Sequence, residues 1–214
     1  MQRFVWTVAL LTALAGTAAA DTQVILGRSL VVKDPKPGVD ATLRKITVKA
    51  KAFNSSGVLV GDPVTNGGDV QIIANGTNPS QETYMLPPGA VPPGGKTGWK
   101  TIGDPAIGYQ YKDTTGANGP VKVLMLKKTP PPDNTFLLKV VIHGKTGHTI
   151  SVLPPNVGTD GGTIVTLGGG DSYCVALGGA AGGTAKNSVN KVFAVKANDT
   201  APAVDNGCPA LVLP

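Results

Sequence analysis

Arg44-Lys45-Ile46-Thr47-Val48-Lys49-Ala50-Lys51-Ala52 alternates without interruption. Ile46, Val48, Ala50 and Ala52 fall on one side of an extended chain; Lys45, Thr47, Lys49 and Lys51 fall on the other. That two-residue period belongs to a strand with one buried and one solvated face. The outward Lys45, Lys49 and Lys51 make a basic ridge. Such a ridge is ordinarily a solvated face, and it also protects an exposed edge from pairing with another chain.

Outward from this stretch, other runs of strand length are Gln23–Leu26, Ser29–Lys33, Val58–Val60, Asp69–Ala74, Glu82–Leu86, Tyr109–Lys112, Val121–Leu126, Thr135–His143, Thr149–Leu153, Thr163–Leu167, Ser172–Leu177 and Lys191–Lys196. Turn signals separate them, among them Asn54-Ser55-Ser56-Gly57, Asn66-Gly67-Gly68, Pro87-Pro88-Gly89 and Gly168-Gly169-Gly170. Glycine supplies positive φ, and Pro and Asn initiate turns. The 214 residues include 29 Gly and 18 Pro with no strict third-residue period, which excludes collagen. Glu82 is the sole glutamate, so a helical bundle is excluded in practice. The Ala-rich Ala176–Ala185 is broken by four glycines and reads as loop. The expected class is all-β: an antiparallel β-sandwich with Gly/Pro-rich turns and little or no helix.

A shift of 94 residues superposes several features. Leu30, Val32 and Lys33 fall on Leu124, Leu126 and Lys127; Val48 falls on Ile142; Gly67, Gly68 and Val70 fall on Gly161, Gly162 and Ile164. The chain therefore reads either as one larger sandwich or as two pseudo-repeated halves, 28–118 and 121–208. At this length a folded chain buries about 70% of its surface, enough for independent folding.

Residues 1–20 have the form of a secretory signal peptide. Arg3 is the positive start, Val5–Leu14 is an apolar run too short to span a bilayer, and Thr17-Ala18-Ala19-Ala20 offers small residues for cleavage before Asp21. Its brevity and alanine content are of bacterial type. The expected location is secreted or periplasmic, with 21–214 as the mature domain and no transmembrane segment after removal of the leader. Loss of Arg3 leaves 18 basic residues against 13 acidic, a net charge of +5. That charge favours weak attraction to anionic surfaces and polysaccharides. Cys174 and Cys208 are the only cysteines. An even count in an exported chain is read as one disulfide. It would close a loop of about 35 residues, a constraint of roughly 4 kcal/mol in the chain-entropy model.

Candidate chemistry is thin. Gly168-Gly169-Gly170-Asp171-Ser172-Tyr173 offers a serine after a glycine turn, but the Gly-x-Ser-x-Gly elbow is missing. A base could come only from His143 or His148. We read the segment as a hairpin, with a hydrolase using Ser172, Asp171, His143 or His148 as the alternative. His143-Gly144-Lys145-Thr146-Gly147-His148 places two histidines around a turn, yet it lacks a third metal ligand and the context of a phosphate loop. No cofactor or metal is expected. Trp99, Tyr109 and Tyr111 form the densest aromatic group and are the candidate sugar-stacking residues; core packing is their other reading. Asn54, Asn75 and Asn198 open glycosylation patterns that matter only in a eukaryotic source.

Pro154-Pro155-Asn156-Val157-Gly158-Thr159-Asp160-Gly161-Gly162, Leu167-Gly168-Gly169-Gly170-Asp171-Ser172-Tyr173-Cys174-Val175 and Cys208, with Tyr111-Lys112-Asp113 and Asn118-Gly119-Pro120-Val121-Lys122, resemble a family of uncharacterised secreted bacterial proteins. The resemblance spans residues 25–208. It implies export and a β-rich module and carries over no site, because the family has no established activity.

Three functions follow as expectations. The first is an exported non-enzymatic module with a structural, adhesive or ligand-binding role, whose partners are cell-surface polysaccharide or other envelope proteins. The second is a secreted hydrolase acting on carbohydrate or ester. The third is a weak binder of anionic polysaccharide. Nucleic acid is not an expected partner of an exported chain.

Overall fold

The computed structural model describes residues 21–197. Thirteen strands follow in chain order: β1 Thr22–Val24, β2 Gly27–Lys33, β3 Lys45–Ala52, β4 Gly68–Gly76, β5 Ser80–Leu86, β6 Thr97–Ile102, β7 Gly108–Asp113, β8 Val121–Lys128, β9 Phe136–His143, β10 Gly158–Leu167, β11 Ser172–Gly178, β12 Thr184–Ser188 and β13 Val192–Lys196. Five of them form one sheet in the order β1-β11-β10-β4-β5, and eight form the other in the order β12-β13-β2-β3-β9-β8-β7-β6. Apart from the parallel pair β1–β11, every pairing is antiparallel. Helix is limited to the single turn α1, Pro63–Asn66, and short 3₁₀ turns. Asp62 caps α1 and proline stands at its start, where a missing N–H costs nothing.

The two sheets close over one hydrophobic cluster. β3 contributes Ile46, Val48, Ala50 and Ala52, the inward set of its alternation. Val48 lies opposite Val140 of β9 and Leu30 of β2. From the five-stranded sheet come Val70, Ile72, Val165, Tyr173 and Val175, all without solvent exposure. Packing this dense admits only glycine at Gly158, where a Cβ would stand 2.2 Å from the ring of Phe193.

Strand order is symmetric between the halves of the chain. Exchanging β2 through β7 with β8 through β13 returns both sheets in reverse order, with β1 left over. The halves meet at β2–β13, β3–β9 and β7–β8 in one sheet and at β4–β10 in the other. Residues that coincide at the 94-residue shift occupy exchanged strands: Leu30 and Leu124, Val48 and Ile142, Val70 and Ile164. Both halves feed the same cluster.

Four local expectations need correction. Val58–Val60 is not a strand. The Tyr173 hydroxyl accepts from Val60 N at 2.7 Å and lies 3.1 Å from Val60 O, so a side chain replaces the ladder. Thr149–Leu153 is not a strand either. Ser151 N donates to Glu82 Oε2 at 2.6 Å and Leu153 N to Ser80 Oγ at 2.9 Å, while Ile150 and Val152 enter the core. β6 and β12 were not expected. β6 has a glycine and few apolar residues, and β12, which extends into the Ala-rich stretch read as loop, has every residue exposed.

Candidate binding face

The aromatic candidates are inside the molecule. Trp99 and Tyr111 are each 1% exposed and meet edge to face at 5.2 Å. The Trp99 indole N–H donates to Pro87 O at 3.0 Å. Tyr109 is partly buried against the same core. These residues are packing, because the inward positions of β6 and β7 face the second sheet, and none presents a ring to a ligand.

The hydrolase candidates stand apart. Tyr173, Val175 and Leu177 enter the core, so Ser172 points off the outer side of the five-stranded sheet, where its hydroxyl lies 3.1 Å from that of Thr166. Ile142 enters the core from β9, so His143 points off the outer side of the other sheet. His148 is occupied by a 2.6 Å bond from Nε2 to Gly116 O, which fixes the proton on that nitrogen. Asp171 is 7% exposed and ties down the first described residues: Asp21 N donates to Oδ1 at 3.0 Å and Gln23 Nε2 to Oδ2 at 2.5 Å. The structure therefore brings neither histidine to Ser172. Among the described residues no group of three or more potential metal ligands exists.

What the strands do assemble is a cationic sheet face. On β3 the outward positions are Lys45, Thr47, Lys49 and Lys51. β2 adds Lys33 opposite Lys45, and β9 adds Lys139 opposite Lys49 and His143 opposite Lys45. Farther out come Lys127, Lys112 and Lys100 on one side and Lys196 on the other. Between them lie Val31, Val141, Val123, Met125 and Gln110. The eight strands contain one acid, Asp113, which is buried at the end of β7. Among the described residues no lysine of this face forms an ion pair. Cross-strand neighbours stand about 5 Å apart and alternate residues along a strand about 7 Å apart. Like charges placed directly opposite one another are destabilising, and Lys33 with Lys45 and Lys49 with Lys139 form such pairs.

One corner of the face is concave. Asp113, Thr114, Gly119, Pro120, Lys122, His143 and Lys145 line a cleft of about 290 Å³. Lys122 is the extra residue of a β-bulge: Val121 pairs with Ile142 and Val123 with Val141. A bulge re-aims a side chain in this way. Lys145 sits in a 3₁₀ turn, Gly144–Thr146, pressed against the chain at Thr42; a Cβ on Gly144 would lie 2.6 Å from Thr42 O. Partial burial, and then Lys45, Lys122 and Lys145, push the His143 pKa down. Asp113 adds one negative charge to the wall of this corner. Burial alone would raise its pKa, but the N–H groups of Asn118 and Ala117 and the hydroxyls of Thr115 and Thr97 outweigh burial and hold it low, so it stays ionised with its oxygens turned to these donors rather than to a lysine.

The outer side of the five-stranded sheet is different in kind. Ile73 and Cys174 are both at 0% exposure and form a second cluster with Ile164 and Ala176. No cysteine among the described residues is free; Cys208 and residues 1–20, the expected signal peptide, lie outside them.

No protein-family model, curated protein or solved structure matches the chain. The binding face therefore rests on its own geometry. The sequence displayed only its central strand, Lys45–Lys49–Lys51. The rows contributed by β2, β9 and β8 depend on strand order, and the position of Lys122 depends on a bulge; periodicity encodes neither.

Proposed function

We propose that this protein is an exported, non-enzymatic β-sandwich module that binds an anionic polysaccharide at the cell surface or in the periplasm, through the outer face of its eight-stranded sheet. The observation that carries this reading is the array of lysines spread across that face, with like charges opposite one another and no acid at its outward positions. An array that weakens its own sheet without internal compensation is accounted for by an external counter-charge. Methylene stems and the intervening valines give a polymer apolar contact between charges. Export would place the face among envelope polysaccharides, and a Cys174–Cys208 disulfide would tie the segment after Ala197 to β11. The buried position of Cys174 supports that pairing.

The test is retention of the mature protein on an immobilised anionic polysaccharide under a salt gradient. The Lys49→Gln/Lys139→Gln variant is expected to elute at clearly lower salt than the native protein, and a Lys36→Gln/Lys96→Gln control, changed off the face, at the native position. Equal elution of all three, or release by every polyanion with equal efficiency, overturns the reading.

A further inference from the structure

We propose that the corner cleft lined by Lys122, His143 and Lys145, with Lys45 beside His143 on the neighbouring strand, is a site for a tetrahedral oxyanion, a phosphate or sulfate group. As a statement about the polymer's chemistry, this rests on the polyanion reading above; as a statement about the cleft, it stands alone.

Three independent structural devices converge on this corner. Strand register sets Lys45 of β3 directly beside His143 of β9. The β8 bulge adds Lys122 to the cleft wall. The Gly144–Thr146 turn adds Lys145, and the His148–Gly116 bond ties the loop that follows to the β7–β8 connection. The donor set selects the ligand. Ammonium groups are point charges, and several of them from different elements can each meet a different oxygen of a tetrahedral anion, whereas the arginine fork takes two oxygens of one group in a plane. The cleft has no arginine. The acid in its wall, Asp113, accepts from backbone and hydroxyl donors and forms no ion pair with these lysines, so the positive groups of the cleft outnumber its one negative charge.

Every charged group packed around His143 is accounted for: Lys45 from β3, Lys122 from β8, Lys145 from the turn and Asp113 from the end of β7. The three lysines disfavour a protonated imidazole, and a bound anion would reverse that balance. Occupancy should therefore strengthen as the pH falls, and the ligand should raise the pH at which His143 takes its proton.

The experiment follows the His143 ring by NMR through a pH titration at constant ionic strength, in the presence of inorganic phosphate, sulfate or acetate. Phosphate and sulfate are expected to move the His143 midpoint upward by about one pH unit and acetate much less. Lys122→Gln, a change at an exposed bulge, should abolish the shift. An unmoved midpoint, or one moved equally by acetate, overturns the site. A second arm compares columns of sulfated and carboxylated polysaccharide of equal charge density. Stronger retention on the sulfated column, lost in Lys122→Gln, supports the polymer as the source of the group; equal retention overturns that source. Loss of all polymer binding with the phosphate shift intact overturns the polyanion reading and leaves the cleft a site for a free anion.

Discussion

The two sheets share one core and divide the charge between them. The five strands β1, β4, β5, β10 and β11 contain no lysine or arginine, and their acids are Asp69, Glu82 and Asp160. The eight-stranded sheet holds lysines across its width and one buried acid. Inward positions on both sheets are aliphatic and interchangeable in kind. The segregation therefore resides wholly outside the core, where folding imposes little choice of residue. On one outer face cations are exposed; on the other, Ile73 and Cys174 are shielded from water. Packing accounts for the second face; the first is the face proposed to meet an external anion.

Substitutions at outward positions test this contrast. The largest effect is expected at Ile73→Ala, which removes a fully buried side chain and should cost about 2–4 kcal/mol in urea unfolding. Val141→Ala, equally outward on the lysine face, should cost less than about 1 kcal/mol. Equal losses would erase the distinction between covered and open faces. Next is Asp171→Asn, which takes an acceptor from Asp21 N or Gln23 and should cost about 1–3 kcal/mol. Smaller, and opposite in sign, is Lys49→Gln. By relieving the facing Lys139 it should raise stability by about 0.2–1 kcal/mol while lowering polysaccharide retention. A variant that loses stability and retention together would assign the lysines to the fold.

The smallest effect is in pH. The folded pKa of His143 lies below its unfolded value near 6.5, so the unfolded chain binds more protons in that window. Its contribution to stability is complete above about pH 6.5 and is lost as the pH falls through the depressed folded value. His143→Gln should flatten that part of the stability–pH curve, and added phosphate should flatten it in the native protein. A curve unchanged by either would separate the imidazole from the lysines around it.

How far the sequence could be read depended on where each segment satisfied its backbone. β3 announced itself because alternation and ladder agree over eight residues. Thr149–Leu153 had equal apolar content, yet its N–H groups go to Glu82 and Ser80, side chains about 70 positions away that no local pattern reveals. Trp99, Tyr109 and Tyr111 were legible as an aromatic group, but burial depends on which side of β6 and β7 meets the other sheet. The lysine face needed the neighbours of β3, which strand order alone supplies, and the cleft needed one inserted residue at Lys122.

The bond from Asp21 N to Asp171 has a consequence for the life history of the chain. In an uncut precursor that nitrogen is a peptide amide, and its bond to the carboxylate is of ordinary charge-assisted strength. A cut before Asp21 would turn the same atom into an ammonium, already 3.0 Å from a carboxylate that is 7% exposed. Bonds with an ionised partner on each side are stronger again, and breaking one in a shielded setting is costly. Removal of the leader would then be recorded in the stability of the fold, with β1 sealed onto β11 by the charge that processing creates. Asp171, conspicuous at first as a neighbour of serine, would serve as the molecule's register of its own maturation.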